Sequence, residues 1–401
     1  MDLTNADPPA RLLDLTRLIS RAGRAQTGVD RVEYAYLSHL LSQATPLYGL
    51  VRTRLGFVLL DRAGCAAIRD RLRDDDWGAP DLLARLSRKA DPVRLRAEAD
   101  LRRVAAARCL PRGLGRMLRR HLPAGTHYLN TGHSNLSDRV ITAVRAIPQS
   151  RIAVLIHDTI PLDHPQFQRP GSVDRFRHFL TRVGRAADLL ICNTAQTRAD
   201  IARHLGADGL PQTVVAHLGV PRPVPGTAPA GPWTGQPYFV CLGTIEPRKN
   251  HALLLDLWPD IPEAHLLICG HRGWENHAVF ARLDAGQDRV HELNGLPDEA
   301  IFALLRDSAG LLFPSLAEGY GLPPIEAAAL GRPVVCNDLP IYREVLGDIP
   351  IYAEVSDGYL WRTKIIELAK DHAAGKRPSQ HKGGFTPPDW DAHFKTVLRL
   401  I

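Results

Sequence analysis

Residues 310–336 read GLLFPSLAEGYGLPPIEAAALGRPVVC. The apolar run GLLF predicts a buried strand and PVVC the next one. Between them PPIEAAAL reads as a short helix, with proline in its first turn and Gly331 closing it. Strands joined through a helix lie parallel, so the stretch is a βαβ unit. Glu318 then stands on the loop at the carboxyl end of the first strand. Gly319 and Gly321 let backbone approach a ligand there, and the helix amino end offers free N–H groups. Glu326, in the first turn of that helix, adds a carboxylate of the kind that accepts two hydrogen bonds from a vicinal diol such as a ribose. Taken singly, Glu326 reads equally as a helix-dipole partner and Glu318 as a surface charge. The glycines between them favour a ligand-binding loop.

The same grammar extends outward. YFVCLGT, AHLLICG, RVHELNG, GLLFPS and PVVCND in the second half are short apolar runs ending in a small or polar residue, and so are THYLNTG, IAVLIHD, DLLICNT and TVVAHLG in the first. Two such series alternating with helical segments predict an α/β chain of two Rossmann-like, doubly wound parallel-sheet domains. Residues 217–237, HLGVPRPVPGTAPAGPWTGQP, hold too much proline and glycine for a helix or interior strand and read as the connection. The boundaries follow: an N-terminal domain over 1–222, a linker over 223–236, a C-terminal domain over 237–384 and a last helix over 385–401. An Arg-rich, helical insertion at about 60–120 interrupts the first series. Ligands bind outside the carboxyl ends of parallel strands, so two facing edges predict one central cleft.

Composition narrows the class. The chain has 401 residues, 45% hydrophobic and 23% charged. No run reaches the ~18 apolar residues that cross a bilayer. The opening MDLTNADPPARLLDL has no basic segment leading into an apolar one, so the expected location is the cytoplasm. Cysteines 65, 109, 192, 241, 269 and 336 form no C-x-x-C pair and read as buried thiols rather than a zinc or disulfide framework. The net charge of +7 is unevenly spread: residues 1–222 carry 34 Lys and Arg against 21 Asp and Glu, whereas residues 223–401 carry 16 against 22. The basic excess is either a solvated helical face or a docking surface for an anionic membrane. Nucleic acid is disfavoured, because few aromatics interleave with the arginines.

Three further constellations accompany the opening stretch. In YFVCLGTIEPRKNHALLLDLW a strand ends at Gly243 and a helix begins near Asn250, which puts Arg248 and Lys249 at the positive end of that helix. Cations there are unfavourable unless an anion compensates, and a diphosphate suits a guanidinium fork beside a point charge. A solvated basic turn is the alternative. In LLDLTRLISRAGRAQTGVDRVEYAYL a strand leads through a long loop to Gly28, where a helix starts and backbone N–H groups can meet a phosphate. His133 follows one strand of the first series; His157 and Asp158 follow the next. Such groups orient a sugar or help a hydroxyl lose its proton, unless they are structural strand-end residues.

These segments resemble the retaining glycosyltransferase family four, of GT-B fold. EGYGLPPIEAAALGRPVVCNDLPIYREVLGD and GTIEPRKNHALLL carry the resemblance across roughly 236–357, with TGVDRVEYAYL, GHSNL and HDTIP less distinctly in the first half. DWDAHFKTVLRLI is similar to the family's last helix, which crosses back to the first domain. The resemblance implies transfer of a sugar from a nucleotide diphosphate donor with retained configuration, without a required metal or other cofactor. It implies Arg248, Lys249 and Gly28 at the donor diphosphate. Gly319, Tyr320, Gly321 and Leu322 would line sugar and phosphate, and Glu326 would hold the ribose. Glu318 would meet the sugar hydroxyls, with His133 near the reacting centre. His157 and Asp158 would position the acceptor. The expected role is elongation of a bacterial surface polysaccharide or lipid-linked precursor at the inner membrane. GDP-mannose is the first candidate donor, with UDP and dTDP sugars next. A sugar-nucleotide epimerase and a non-catalytic scaffold are the alternatives.

Overall fold

The computed structural model describes residues 7–86, 91–206, 209–376 and 385–401. Its first sheet comprises β1 (Arg11–Asp14), β2 (Leu47–Thr53), β3 (Gly56–Leu60), β4 (Ala107–Cys109), β5 (His127–Asn130), β6 (Arg151–Ile156), β7 (Leu189–Cys192) and β8 (Gln212–Val215). They lie in the order β4-β3-β2-β1-β5-β6-β7-β8. The second comprises β9 (Tyr238–Leu242), β10 (His265–Cys269), β11 (Val290–Leu293), β12 (Gly310–Phe313), β13 (Val334–Cys336) and β14 (Ile351–Tyr352), in the order β11-β10-β9-β12-β13-β14. The βαβ unit of the opening stretch is β12, the helix Leu322–Ala329 and β13, in parallel register.

The second sheet is parallel throughout. The first is parallel from β2 through β1 and β5 to β8, as expected of a doubly wound domain, and mixed only at its edge, where β3 pairs antiparallel with both β2 and β4. The insertion is likewise not only helical. The helices Arg62–Asp74, Leu82–Leu86 and Pro92–Arg103 precede the strand β4, and Leu114–His121 follows it. β4 has three residues, one of them an exposed arginine, too short a pattern to separate from the helical sequence around it. Residues 87–90 of the insertion lie outside the described residues, as do 377–384 before the last helix.

Side-chain alternation sets the layers. Leu12 and Leu13, neighbours on β1, belong to opposite cores. The Leu13 side is one apolar cluster that continues through Tyr36 and Phe394 into Tyr320, Phe313 and Val240 of the second domain. The outer faces have their own cores, around Tyr128 and Val154 in one domain and Trp258 and Trp361 in the other. The helix Trp390–Val397 lies against the helix Gly28–Ser42: the Tyr36 hydroxyl meets His393 Nε2 at 2.8 Å, and Phe394 stacks on His39 at 3.8 Å. Among the described residues no helix is long and apolar enough to cross a membrane.

Strand order reverses between β1 and β5 and between β9 and β12. Adjacent loops diverge at such a switch point and leave a crevice. The loops after β9 and β12 carry Arg248, Lys249 and Glu318; the loop after β5 carries His133. The fold thus brings the sequence's polar strand-end residues to two facing crevices.

Candidate active site

Beyond β9 the turn Pro247–Lys249 ends at Asn250, which is left-handed with φ 54°, before the helix His251–Leu257. This holds Arg248 and Lys249 over the mouth of the sheet rather than in solvent. Arg248 Nε lies 2.6 Å from Glu246 and Nη1 3.1 Å from Glu318, while Lys249 Nζ pairs with the other Glu318 oxygen and sits 4.5 Å above the Phe313 ring. Arg248 Nη1 also donates to the Ala317 carbonyl at 2.9 Å, tying the two loops together. Burial pushes the Glu318 carboxyl up, but Arg248 and Lys249 outweigh it and hold the group down to about 2. Half-buried Arg248 and buried Lys249 thus already have two carboxylate partners, so the crevice is charge-balanced rather than simply electropositive.

The first domain's edge closes over this cluster. A Cβ on Gly319 would lie 2.8 Å from Asp158 Oδ2 and 3.0 Å from the His157 carbonyl, so only glycine fits. Asn193, buried after β7, donates its Nδ2 to the His157 carbonyl at 2.8 Å and to the Gly319 carbonyl at 3.0 Å. One amide therefore clamps both domains, and its Oδ1 is buried without a partner. Burial raises the Asp158 carboxyl, opposed by Arg248 across the cleft.

The two histidines are bound to main chain. His157 Nε2 lies 2.7 Å from the Thr131 carbonyl, and burial lowers the ring to about 4. His133 Nε2 accepts from the His157 N–H at 3.2 Å and lies 3.0 Å from the Leu155 carbonyl, while its ring packs at 5.0 Å from Phe179. Both rings are neutral at ordinary pH, and His133, left-handed at φ 56°, shapes the loop after β5.

Gly28 and Glu326 meet at a second interdomain contact, apart from the cation cluster. A Cβ at Gly28 would lie 3.3 Å from Leu322 Cδ1, so the amino ends of the helices Gly28–Ser42 and Leu322–Ala329 approach each other. One turn beyond Gly28, Arg31 places Nη1 2.7 Å from Glu326 and Nη2 2.6 Å from Asp298. The carboxylate read as a ribose ligand is engaged by an arginine of the other domain. Tyr320 turns its hydroxyl to the Leu218 carbonyl at 2.8 Å, which leaves its backbone to the loop. Gly321, at φ 86°, has Tyr342 where a Cβ would stand, 2.6 Å away.

Sequence reading missed Glu246, Arg31 and the clamp made by Asn193. Glu246 lay inside the quoted TIEPRKN motif, and Arg31 falls three residues after Gly28 on one helix face, so both carried a signal. Asn193 followed a strand and Gly319 lay in the opening motif, but nothing local paired the two.

With this geometry in hand, residues 229–372 match the family of glycosyl transferases group 1. The serotype-specific mannosyltransferase WbdA of Escherichia coli is 32% identical over 214 residues, 48% of this chain and 26% of that protein. O-antigen chain mannosyltransferase B of Escherichia coli is 32% identical over 146 residues, 35% of this chain and 38% of the other. The chain thus spans about a quarter to two fifths of the length of these relatives. Among solved structures, Anabaena Alr3699/HepE in complex with UDP and glucose superposes with TM-score 0.56 at 15% identity, covering 92% of this chain and 94% of that one. TarM superposes with TM-score 0.52 at 16% identity, covering 70% and 55%. The chain has the GT-B fold of two Rossmann-like domains, and its residues 229–372 are similar to the glycosyl transferases group 1 family.

Proposed function

We propose that the chain is a retaining, metal-independent glycosyltransferase. It transfers a hexose, mannose first among the candidates, from a nucleotide diphosphate to a saccharide or lipid-linked acceptor in bacterial surface polysaccharide synthesis, at the cytoplasmic face of the membrane. The observation that carries this reading is the Glu246–Arg248–Glu318–Lys249 cluster, buried at the strand ends and roofed by Asp158 and Asn193.

Chemistry follows from that charge balance. A donor diphosphate adds negative charge to a neutral cluster, so it competes with Glu318 for Arg248 and Lys249. Glu318, released from the cations, is free to accept from donor sugar hydroxyls. When the bond from the anomeric carbon to the diphosphate breaks, charge builds on the departing phosphate and the fixed cations stabilise it without reorganisation. The acceptor oxygen bonds to the anomeric carbon on the same face, and its proton passes to the departing phosphate. Neutral His133 and His157 fit this route, since neither is needed as the base. Glu326 keeps its role as ribose ligand if one oxygen stays with Arg31 and the other takes the diol, while Gly28 and Gly319 to Leu322 supply backbone to the phosphates. The contacts across the cleft exclude water and so suppress donor hydrolysis.

A thermal-shift panel of GDP, UDP and dTDP sugars tests the donor class, because a ligand that binds the native state raises the melting temperature. At least one nucleotide sugar raises it, and the unlinked monosaccharide does not. The best donor incubated alone stays unchanged, whereas an epimerase would convert it. A panel without any shift would refute the reading.

A further inference from the structure

The arginines of the insertion fall into two populations. Through Arg102 they are largely paired: Arg69 with Asp70 at 2.7 Å, Arg71 with Asp100 at 3.1 Å, Arg73 with Asp74 at 2.8 Å, Arg94 with Glu98 at 3.2 Å and Arg102 with Asp81 at 2.6 Å. Residues 104–137, by contrast, hold five arginines and no Asp or Glu. Arg108, Arg112, Arg116, Arg119 and Arg120 are exposed and have no acidic partner among the described residues. The helix Leu114–His121 buries Leu114, Met117 and Leu118, so Arg116, Arg119 and Arg120 share its outer stripe and Arg112 extends it by one turn.

Two leucines stand beside this stripe. Leu110 is 73% exposed and Leu55 51% exposed. They are neighbours: a Cβ on Gly56 would lie 3.1 Å from the Leu110 Cα. Strand directions place them. β2 and β4 are both antiparallel to β3, so both run parallel to β1 and β5. Leu55 follows β2 and Leu110 follows β4, hence both project from the edge of the sheet that carries His133 and His157.

We propose that this patch, Leu55 and Leu110 with the arginine stripe beside them, docks the first domain on an anionic lipid bilayer. A soluble polyanion would satisfy the arginines but bury neither leucine. A bilayer offers headgroup phosphates to the guanidinium groups and an acyl boundary to the leucines. Docked this way, the edge that opens on the cleft faces the lipid, within reach of a membrane-borne acceptor. The proposal rests on the lipid-linked reading of the acceptor above, and narrows the basic surface to residues outside the paired insertion helices.

Sedimentation with vesicles of phosphatidylglycerol and phosphatidylcholine, against phosphatidylcholine alone, tests it. The full chain binds the anionic vesicles, and high salt releases it. Arg112→Gln/Arg116→Gln/Arg120→Gln weakens partitioning by roughly a hundredfold, at about 1 kcal/mol per arginine. Leu55→Ser/Leu110→Ser, which changes no charge, weakens it by about tenfold. Arg73→Gln/Arg94→Gln, which removes paired arginines, leaves it unchanged. Absence of binding to anionic vesicles, indifference to the leucine change, or an equal loss in the paired-arginine variant would each overturn the proposal. Unchanged melting temperatures show that the variants fold. The vesicle assay contains no donor, so its result stands apart from the nucleotide-sugar panel.

Discussion

Glu318 holds two cations with one carboxylate, and that arrangement makes a specific demand. Glu318→Gln removes the carboxylate that pairs with both Arg248 and Lys249, so the cluster gains one positive charge. A nucleoside diphosphate then binds the variant roughly tenfold more tightly in calorimetry, while sugar transfer falls by about a hundredfold or more. Loss of both binding and transfer would contradict the assignment. The same group sets an acid limit. Its folded carboxyl lies at about 2, below the ordinary 4.5, so its stabilising contribution is complete above pH 4.5 and disappears as pH falls towards 2. Melting temperatures across that window fall for the native chain and less for Glu318→Gln. Sequence exposed Glu318, Arg248 and Lys249 because each sits beside a recognisable strand end. Arg31 and the clamping role of Asn193, itself a readable strand-end residue, escaped because their partners are 295 and 126 positions away, and only the packed domains bring them together.

The loop after β12 is the element of the second domain that meets the first at Asp158 and Asn193. Its glycines are required for different reasons. Gly321 is left-handed and backed by Tyr342, so Gly321→Ala combines strain with overlap and destabilises the fold by about 1–3 kcal/mol, seen as a lower melting temperature. Gly319 has ordinary backbone but faces Asp158 of the other domain. Gly319→Ala pushes the domains apart at that point, leaving the melting temperature nearly unchanged while transfer drops by about tenfold or more. Equal effects from the two substitutions would contradict this division. Strands built of continuous apolar residues, such as LLIC and YFVCL, were legible as elements. β2 to β4 went unread, although β3 is itself the apolar run GFVLL; nothing local distinguishes an edge strand as short as β4 from the turns around it.

At the scale of the whole molecule, closure rests on a few polar ties in addition to the shared apolar core. Glu344 of the second domain accepts from the Ala195 and Gln196 N–H groups at 2.6 and 3.1 Å, capping a first-domain helix, and lies 3.0 Å from His217. Glu344→Ala removes a cap worth about 1 kcal/mol, so the ligand-free chain opens more often and its radius of gyration by small-angle scattering rises; donor restores the compact value. An unchanged radius would show that this tie does not govern closure. The two-domain plan was readable from two series of strands around a Pro- and Gly-rich connection, but the mutual approach of the domains depends on pairs that no local pattern announces. The most direct test of the central claim is calorimetric titration of GDP, UDP and dTDP sugars into the native chain and Lys249→Ala. The account predicts one-to-one binding of at least one donor, weakened about a hundredfold by the substitution. Heat from none of them, or equal affinity for both proteins, would contradict it.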